Sequence, residues 1–381
     1  MIKYTTLGNL IAPAKVIRCG KGSCPVLSMT MHDGIVLQSE RFKKSLASID
    51  QSDYKVVKRG QLVVGFPIDE GVLYVQKAAD EGIMSPAYNV WDIDTEKIDA
   101  DFLELCLHSP QSMQYYKDKL RGTTARRRSI PTADLLALKI RLPDMQTQRE
   151  AVAIIRKAEA ILNVRQEQLD YFEQLVKSRF IELFGTEAEL DRWSCCTIGD
   201  VADVCVGVVI KPTQYYTDKG VPAFRSLNIG EMHVKDADWV YFTEEGHQKN
   251  QKSVIRKNDV LVVRSGAPGT ACVATEEYDG YNAVDIIIAH PDNSKVNSVF
   301  LAAYTNMPHG MIQIREKTGG AAQQHFNVGG YKAMRLIMPP MELQEQFAAF
   351  VEQTDKSKLA VQQGLQELEI LKKSLMQQYF G

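Results

Sequence analysis

The sequence feature that most constrains the fold is an internal repeat. When residues 143–185 are laid on residues 339–381, a shift of 196 positions that needs no gap, twelve of the 43 aligned positions are identical. Chance matching at ordinary composition gives about two or three identities. Looser similarity extends backwards, for example between residues 58–64 and 257–263. The repeat indicates a tandem duplication, in which two related units each end in one copy of the same tail.

Both tails have the sequence pattern of a long helix. Apolar side chains recur every seven residues, while proline precedes each tail and glycine ends it, and these residues are start and stop signals of helices. A heptad repeat over about 38 residues, or about 57 Å of helix, predicts that the two tails pair as a coiled coil. The alternative is two unrelated surface helices. The predicted helix–helix contacts are Ile155, Leu162, Leu169, Phe172, Val176, Leu183, Val351, Val361, Leu365, Leu368, Leu375 and Tyr379.

The segments in front of the tails predict mixed structure. Short apolar runs alternate with Gly, Pro, Asn and Asp, and residues 261–264 and 270–274 flank a Gly-rich turn that predicts a hairpin. Residues 101–107 and 298–306 predict short helices. The predicted fold class is therefore α+β, with two similar domains and two long helices. The predicted boundaries are a domain at 1–142, a helix at 143–185, a second domain at 186–338 and a second helix at 339–381.

Overall composition excludes several classes of protein. With 45 Lys and Arg against 47 Asp and Glu, the formal net charge is −2, so any basic face must be local. The seven cysteines are odd in number and form no CxxC pair, which favours reduced thiols in a cytoplasmic protein. No run approaches the roughly 20 apolar residues of a membrane span, and the N-terminus lacks the apolar core of a signal peptide.

Motifs of catalysis and metal binding are missing from the sequence. We find no Walker phosphate loop, no HExxH group and no GxSxG nucleophile elbow. The Asn/Asp-Pro-Pro-aromatic motif of DNA amino-methyltransferases is missing as well, and no cysteine–histidine spacing suits a metal. Jointly these absences favour a binding module over an enzyme, and they predict neither catalytic residues nor a metal site.

One loop concentrates positive charge. Its basic side chains and hydroxyls suit contacts with phosphates and with guanine edges, and the alternative is a solvated surface run. The predicted DNA contacts in this loop are Lys117, Lys119, Arg121, Thr123, Thr124, Arg126, Arg127 and Arg128. At the equivalent place in the second half stand Gln323, Gln324 and His325. Since glutamine can bond adenine as arginine bonds guanine, the two loops predict two base-recognition surfaces of different specificity.

Two further groups of residues in the second half are candidates for DNA contact. Lys211, Gln214 and Tyr215 form one group together with Arg225 and Ser226. For the tyrosine, packing in the core is the alternative. The second group is Arg264 and Ser265 at the predicted hairpin turn, where a structural role is equally compatible with the sequence.

With these elements in place, the sequence resembles the specificity subunit of a type I restriction–modification system. The resemblance rests on two variable domains, each followed by a repeated helix. The second domain opens with Ile198-Gly199-Asp200-Val201, and residues 258–262 precede a Gly-rich turn. Each helix start carries a glutamine, Gln148 or Gln344, five residues after a proline. The first half departs most from the pattern, because residues 3–10 lack the tryptophan.

The resemblance implies a non-catalytic, cytoplasmic protein that binds double-stranded DNA. Each target-recognition domain would recognise one half of a bipartite, asymmetric sequence. The two helices would pack antiparallel as a spacer and dock two methyltransferase subunits. The resemblance also implies that S-adenosylmethionine lies on those partners and that restriction subunits bring ATP and Mg²⁺, with no cofactor in this chain. The alternatives are the specificity chain of a type IIB-like system, a self-sufficient DNA-modifying enzyme, and a coiled-coil scaffold without a DNA role.

Overall fold

The computed structural model describes residues 3–20, 24–31, 33–41, 51–120, 128–318 and 325–380. The chain divides into two compact units, of which the first is built from two stretches of sequence and the second from one. Unit 1 comprises residues 1–166 and 363–381, and unit 2 comprises residues 167–362. Each unit therefore contains one mixed domain, the half of one long helix that adjoins it, and the corresponding half of the other helix. The predicted four segments are grouped in space as two.

Unit 1 is built from short strands and helices followed by the long helix. Its strands are β1 (Tyr4–Thr6), β2 (Ile11–Pro13), β3 (Leu27–Met29), β4 (Ile35–Leu37), β5 (Lys55–Lys58), β6 (Leu62–Val64), β7 (Leu73–Val75), β8 (Glu81–Met84), β9 (Asn89–Ile93) and β10 (Lys139–Arg141). Its helices are α1 (Gln38–Arg41), α2 (Ala100–Leu107), α3 (Pro110–Lys119), α4 (Thr132–Leu136), the first half of α5 (Met145–Phe184) and the last part of α11 (Met341–Phe380).

The centre of unit 1 is an antiparallel sheet in the order β2-β9-β6-β7. All three residues of β6 are buried and two of them are valines, which is typical of a central strand. Helix α2 starts at Asp99, whose carboxylate accepts hydrogen bonds from the backbone N–H groups of Asp101 and Phe102. Its buried face packs into the same core as the sheet and the start of α5.

Unit 2 repeats this plan with longer strands. Its strands are β11 (Cys195–Thr197), β12 (Ala202–Val206), β13 (Tyr216–Thr217), β14 (Val221–Phe224), β15 (Val240–Phe242), β16 (Val260–Val263), β17 (Ala271–Val273), β18 (Asn282–Ala283), β19 (Ile286–Pro291) and β20 (Arg335–Ile337). Its further helices are α6 (Ile198–Val201), α7 (Glu244–Lys249), α8 (Ser298–Asn306), α9 (Pro308–Thr318) and α10 (Val328–Lys332).

Two four-stranded sheets form unit 2. The sheet in the order β12-β19-β16-β17 matches the central sheet of unit 1, and the predicted hairpin is the β16–β17 pair. A second sheet has the order β13-β15-β14-β18. The predicted short helices are present as α2 and α8, each followed at once by a second helix. The α+β class predicted from the sequence is confirmed.

In unit 2 the two long helices run antiparallel. Phe180 and Phe184 of α5 contact Phe347, near the start of α11, with ring centroids 5.4 and 5.7 Å apart. Val176, one turn earlier in α5, and Val351, one turn later in α11, lie in the same buried cluster. As residue numbers fall along one helix they rise along the other, which defines the antiparallel pairing.

In unit 1 the same pairing joins the start of α5 to the end of α11. Ile155 shares a buried cluster with Met376 and Phe380, and Lys372 of α11 forms an ion pair of 2.7 Å with Glu159. The structure places the predicted helix contacts Ile155, Val176, Val351 and Val361 in buried positions. The remaining predicted contacts are half-buried, namely Leu162, Leu169, Phe172, Leu183, Leu365, Leu368, Leu375 and Tyr379.

The glutamine near the start of each long helix is buried and serves the neighbouring short helix. The side-chain oxygen of Gln148 accepts a hydrogen bond of 2.8 Å from the backbone N–H of Asp99, the residue that caps α2. Gln344 does the same for Asn297, which caps α8, at 2.9 Å. The repeated glutamine therefore ties each long helix to the domain that precedes it.

Among the helices in the described ranges, none combines the length and apolar character that crossing a bilayer requires.

Candidate nucleic-acid interface

In unit 2, the backbone of residues 282–284 forms hydrogen bonds with two other segments of the chain, one on each side. The Val284 N–H donates to the Phe224 carbonyl at 2.8 Å, and on the other side the Val208 N–H donates to the Ala283 carbonyl at 2.8 Å. Both neighbours run parallel to residues 282–284. Residues that follow Val208 and residues that follow Phe224 therefore leave the sheet at one edge, which we call the strand-end edge (residues 208–211, 224–227 and 284–285). Lys211, Arg225 and Ser226, which the sequence analysis placed in one group of candidate DNA contacts, all lie at this edge.

An ion pair connects this edge to the hairpin turn after β16. The guanidinium of Arg264 donates to a carboxylate oxygen of Asp285 at 2.5 Å and to the Phe326 carbonyl at 3.1 Å. Only 15% of the Arg264 side chain is exposed. For Arg264 the sequence predicted either a DNA contact or a structural role, and in the structure its guanidinium holds Asp285 and the turn together.

The turn after β16 also bonds the residues that follow the second predicted recognition loop, at 323–325. The backbone N–H of Phe326 donates to the Arg264 carbonyl at 3.0 Å. The Ser265 hydroxyl and Nδ1 of His325 lie 2.9 Å apart. Ser265 and His325 are both exposed or half-exposed and adjacent, as a shared interface requires. Gln323 and Gln324 lie outside the described residues.

Unit 1 joins its own basic loop to the equivalent turn. The Ile68 N–H, in the turn between β6 and β7, donates to the Arg128 carbonyl at 3.1 Å. The Arg128 side chain forms ion pairs with Asp69 at 3.2 Å and Glu70 at 2.5 Å. Arg128 therefore balances two carboxylates and anchors the end of the loop. The predicted contacts Arg121, Thr123, Thr124, Arg126 and Arg127 lie outside the described residues.

Two of the predicted basic residues of unit 1 have exposed side chains at the end of α3. Lys117 and Lys119 occupy the last turn of that helix, where positive charge also complements the helix dipole. The ammonium of Lys119 lies 5.9 Å from the ring centre of Tyr115. Because both ammonium groups point into solvent, they are available to a phosphate.

In the loop from Lys211 to Tyr215, some side chains are exposed and one packs against the core. Lys211 and Gln214 are exposed, and Lys211 adopts a left-handed backbone with φ of 45° directly before Pro212, a strained conformation that is enriched at functional sites. Tyr215 is half-buried, and its ring centre lies 5.8 Å from that of Phe242 in the core. For Tyr215 the structure therefore favours the packing alternative.

Arg225 is held by its own loop. Its guanidinium donates to the Asp238 carbonyl, while its Nε is buried with no hydrogen-bond partner. Its backbone N–H donates to the side chain of Asn228 at 2.9 Å. Ser226 follows it at the strand-end edge, half-exposed.

Sequence reasoning missed a buried charge pair at the ends of β16 and β19 that lie away from Arg264 and Asp285. Nδ1 of His290 on β19 lies 2.7 Å from a carboxylate oxygen of Asp259, and its Nε2 lies 3.6 Å from Sγ of Cys205 on β12. The hydrogen bond to Asp259 raises the pKa of His290 to about 9. In unit 1 a different pair lies near the start of β6, where the amide of Gln61 donates to the carboxylate of Asp92 on β9 at 2.7 Å. Both pairs tie neighbouring strands of the central sheet.

Several other residues of the interface were also missed. Asp285 gave no sequence signal beyond its place before an apolar run, since its role depends on strands far apart in the chain. Val209, Ile210 and Leu227 are aliphatic side chains exposed at the strand-end edge, and an isolated aliphatic residue in a loop is not distinctive in a sequence. Among the described residues, no group of three or more His, Cys, Asp and Glu is placed to hold a metal.

The two units share one plan but carry different polar side chains at or next to the turn after the inner strand, Asp69 and Glu70 in unit 1 and Ser265 and His325 in unit 2. Among known protein families, the model of the type I restriction modification DNA specificity domain matches residues 191–370. The match covers 180 of the 381 residues, so the chain is similar to this domain over just under half of its length. The resemblance inferred from the sequence is thereby confirmed.

Solved structures show the same fold over the whole chain. One is the S subunit of a type I restriction-modification system from M. genitalium, with a TM-score of 0.54 and 15% identity, covering 100% of this chain and 96% of that one. Another comes from a study of complex assembly and conformational transition of the type I R-M system, with a TM-score of 0.57 and 16% identity, covering 100% of this chain and 97% of that one.

Proposed function

We propose that each unit recognises one half of a bipartite, asymmetric DNA target. The observation that carries the proposal is that both units use one plan with different side chains. In each, a loop end bonds the turn that follows the inner strand of the central sheet, through Ile68 and Arg128 in unit 1 and through Arg264 and Phe326 in unit 2. The polar groups at these places are Asp69 and Glu70 in unit 1 but Ser265 and His325 in unit 2. A shared plan with diverged side chains suits two half-sites of different sequence.

The long helices set the distance between the half-sites in this proposal. Helices α5 and α11 each have 40 residues, which corresponds to about 60 Å at 1.5 Å per residue. DNA advances about 3.4 Å per base pair. A change in helix length therefore changes the number of unspecified base pairs between the two half-sites.

The helices also dock two methyltransferase subunits in this proposal. In unit 1, helix α5 exposes Ile154, Ile161 and Val164 on a face beside the buried seam. A run of exposed aliphatic side chains on one helix face is typical of a surface that binds another protein. At the repeat-related positions of Ile161 and Val164, helix α11 has Ser357 and Ala360, whereas it exposes Leu359, Ile370 and Leu371. The two helices therefore offer apolar side chains to partners at different positions.

Catalysis belongs to the partners in this proposal. The methyltransferase subunits hold S-adenosylmethionine, and the restriction subunits supply ATP and Mg²⁺ for translocation and cleavage. This chain provides sequence recognition and the frame on which the other subunits assemble. A near-neutral net charge of −2 fits this division, because partner subunits can contribute much of the positive charge that DNA binding requires.

The test is a domain exchange in the assembled complex. Residues 1–142 are replaced by the corresponding domain of a family member with a known target, and methylated adenines are mapped across a genome. We expect one half of the methylated sequence to change while the other half and the spacing persist. A change in both halves would contradict independent recognition by the two units, and a chain that methylates DNA without partners would contradict the division of labour.

A further inference from the structure

We propose that Ile210 recognises the 5-methyl group of a thymine in the major groove, while Leu227 is a second exposed aliphatic side chain at the same strand-end edge. This inference rests on the proposed function and names the base chemistry of the unit 2 surface. The Ile210 side chain is 80% exposed and that of Leu227 is 63% exposed. Apolar contact with the thymine methyl is one of the recognised means of base recognition, alongside hydrogen bonds to base edges.

The backbone explains why these two side chains belong to one surface. Val208 and Phe224 flank residues 283–284 on opposite sides and run parallel to them. Ile210 and Leu227 follow these residues by two and three positions, so both leave the sheet at the strand-end edge. The two outer segments are separated by two strand spacings, or about 10 Å.

That width selects the groove. The major groove is about 12 Å wide and admits a two-stranded ribbon, whereas the minor groove is about 6 Å wide. An edge whose backbone alone spans about 10 Å cannot enter the minor groove, so a side chain that projects from it reaches base edges through the wider major groove. This argument favours contact with a thymine methyl over insertion of an aliphatic wedge between base pairs from the minor groove.

The loop that presents Ile210 is held in place on both sides. Before it, the backbone at Gly207 approaches Ala283 so closely that an added Cβ would lie 2.7 Å from that residue's carbonyl carbon and oxygen. After it, Lys211 has a φ of 45° and is followed by Pro212. A side chain on a restrained loop retains its position without a partner, which base recognition requires.

Charge next to Ile210 suits a nucleic acid. Lys211 is exposed directly beside it, where an ammonium group can meet a backbone phosphate while the aliphatic neighbour meets a base. The carboxylate of Asp285, at the same edge, is paired with Arg264 at 2.5 Å. The pair reduces the repulsion that this carboxylate would otherwise exert on DNA.

The test combines a protein change with a DNA change. In the complex with the methyltransferase subunits, dissociation constants are measured for the mapped target and for duplexes in which each thymine of the unit 2 half-site is replaced by uracil, which lacks the methyl group. The variants are Ile210→Ala and the control Ile312→Ala, an aliphatic residue of α9 that is 41% exposed. With wild-type protein, we expect one uracil duplex to bind about 5- to 10-fold more weakly.

The decisive result comes from combining the Ile210→Ala variant with the uracil duplex. We expect Ile210→Ala to weaken binding to the thymine duplex by the same factor and to be insensitive to that uracil. Ile312→Ala should behave as wild type, and Ile210→Ala should bind unrelated DNA normally. The inference would be overturned if the affinity losses from the uracil replacement and from Ile210→Ala added together, or if Ile210→Ala left affinity unchanged. Either result would leave the proposed function intact. A 2-aminopurine base placed in the unit 2 half-site becomes more fluorescent when its stacking is disrupted. A rise in that fluorescence without sensitivity to uracil would show that the side chain inserts between base pairs, and it would also overturn the inference. Equal wild-type affinity for target and unrelated DNA would refute the proposed function itself.

Discussion

The side-chain oxygen of Gln344 accepts a hydrogen bond of 2.9 Å from the backbone N–H of Asn297, and its amide nitrogen donates to the Pro339 carbonyl at 2.9 Å. Both hydrogen bonds are shielded from solvent, because Gln344 is only 1% exposed. The repeat gives Gln148 the same relation to Asp99 and Pro143 in unit 1. These glutamines explain, in physical terms, why a polar residue stands at the start of each otherwise amphipathic helix.

We expect Gln344→Leu to lower the free energy of unfolding by about 1–3 kcal/mol, because it leaves the Asn297 N–H buried without a partner. Gln344→Glu keeps an acceptor for that N–H but loses the donor to the Pro339 carbonyl. We therefore expect it to lower the free energy of unfolding by a different amount from Gln344→Leu, so that the two hydrogen bonds can be assessed separately. Urea denaturation of the full chain measures both. The matched control is Gln346→Leu, an exposed position of the same helix, and an equal loss there would argue against the buried hydrogen bond as the cause.

The stability of unit 2 should fall as the pH rises through the alkaline range. The pKa of His290 is raised from 6.5 to about 9 by Asp259, so the folded chain holds this proton more tightly than the unfolded chain. The stabilisation is complete below about pH 6.5 and is lost as pH rises through about 9, with a maximum of about 3 kcal/mol.

The measurement is urea unfolding of wild type and His290→Gln at several pH values from 6 to 10. We expect the difference in unfolding free energy between the two proteins to shrink across this window. The thiol of Cys205 lies 3.6 Å from Nε2 of His290 and is the second cause of the raised His290 pKa, after Asp259. Cys205→Ala is therefore measured alongside and should keep most of the pH dependence of wild type, because the hydrogen bond to Asp259 remains. A constant difference between wild type and His290→Gln would show that the ion pair contributes no pH dependence.

Two cations of the interface should respond differently to removal. Arg128 is paired with Asp69, whose side chain is 8% exposed, and with Glu70. We therefore expect Arg128→Ala to lower the free energy of unfolding by about 1–3 kcal/mol by leaving a buried carboxylate unpaired.

Lys211 is exposed, so we expect Lys211→Ala to leave stability within about 0.5 kcal/mol of wild type and to reduce the slope of log K against log salt by about 0.9. Thermal unfolding and DNA titrations at four salt concentrations distinguish these outcomes. If Arg128→Ala changed the salt slope at full stability, the side chain would be a phosphate contact after all.

A length change in both helices should alter the recognised spacing. One heptad is inserted after Gln166 and one after Gln362, positions related by the repeat, so that the hydrophobic seam keeps its phase. Seven residues add about 10 Å of helix, or about three base pairs at 3.4 Å each. We expect methylation mapping to find both half-sites unchanged and the gap longer by about three base pairs. A gap of unaltered length would contradict the role of the helices as a spacer. The control is an insertion in one helix alone, which misaligns the seam and should abolish assembly.

Local pattern was enough to predict part of this structure. The helices at Met145–Phe184 and Met341–Phe380 follow from heptad spacing, and the short helices at Ala100–Leu107 and Ser298–Asn306 from compact apolar periodicity. The β16–β17 hairpin follows from a glycine-rich turn between two apolar runs. In each case, neighbouring residues within one element carry the signal, because helix and turn preferences are set over a few residues.

What only the tertiary structure decided is which of the predicted polar residues act together and which are already engaged. Arg264 meets Asp285 and Arg128 meets Asp69 and Glu70 because strands distant in sequence become neighbours. Those neighbours depend on sheet order and register, which no short pattern encodes. The sequence alone thus determined the duplication, the long helices and the resemblance to a specificity subunit, whereas long-range strand pairing decided which polar side chains are engaged in ion pairs and which stay exposed.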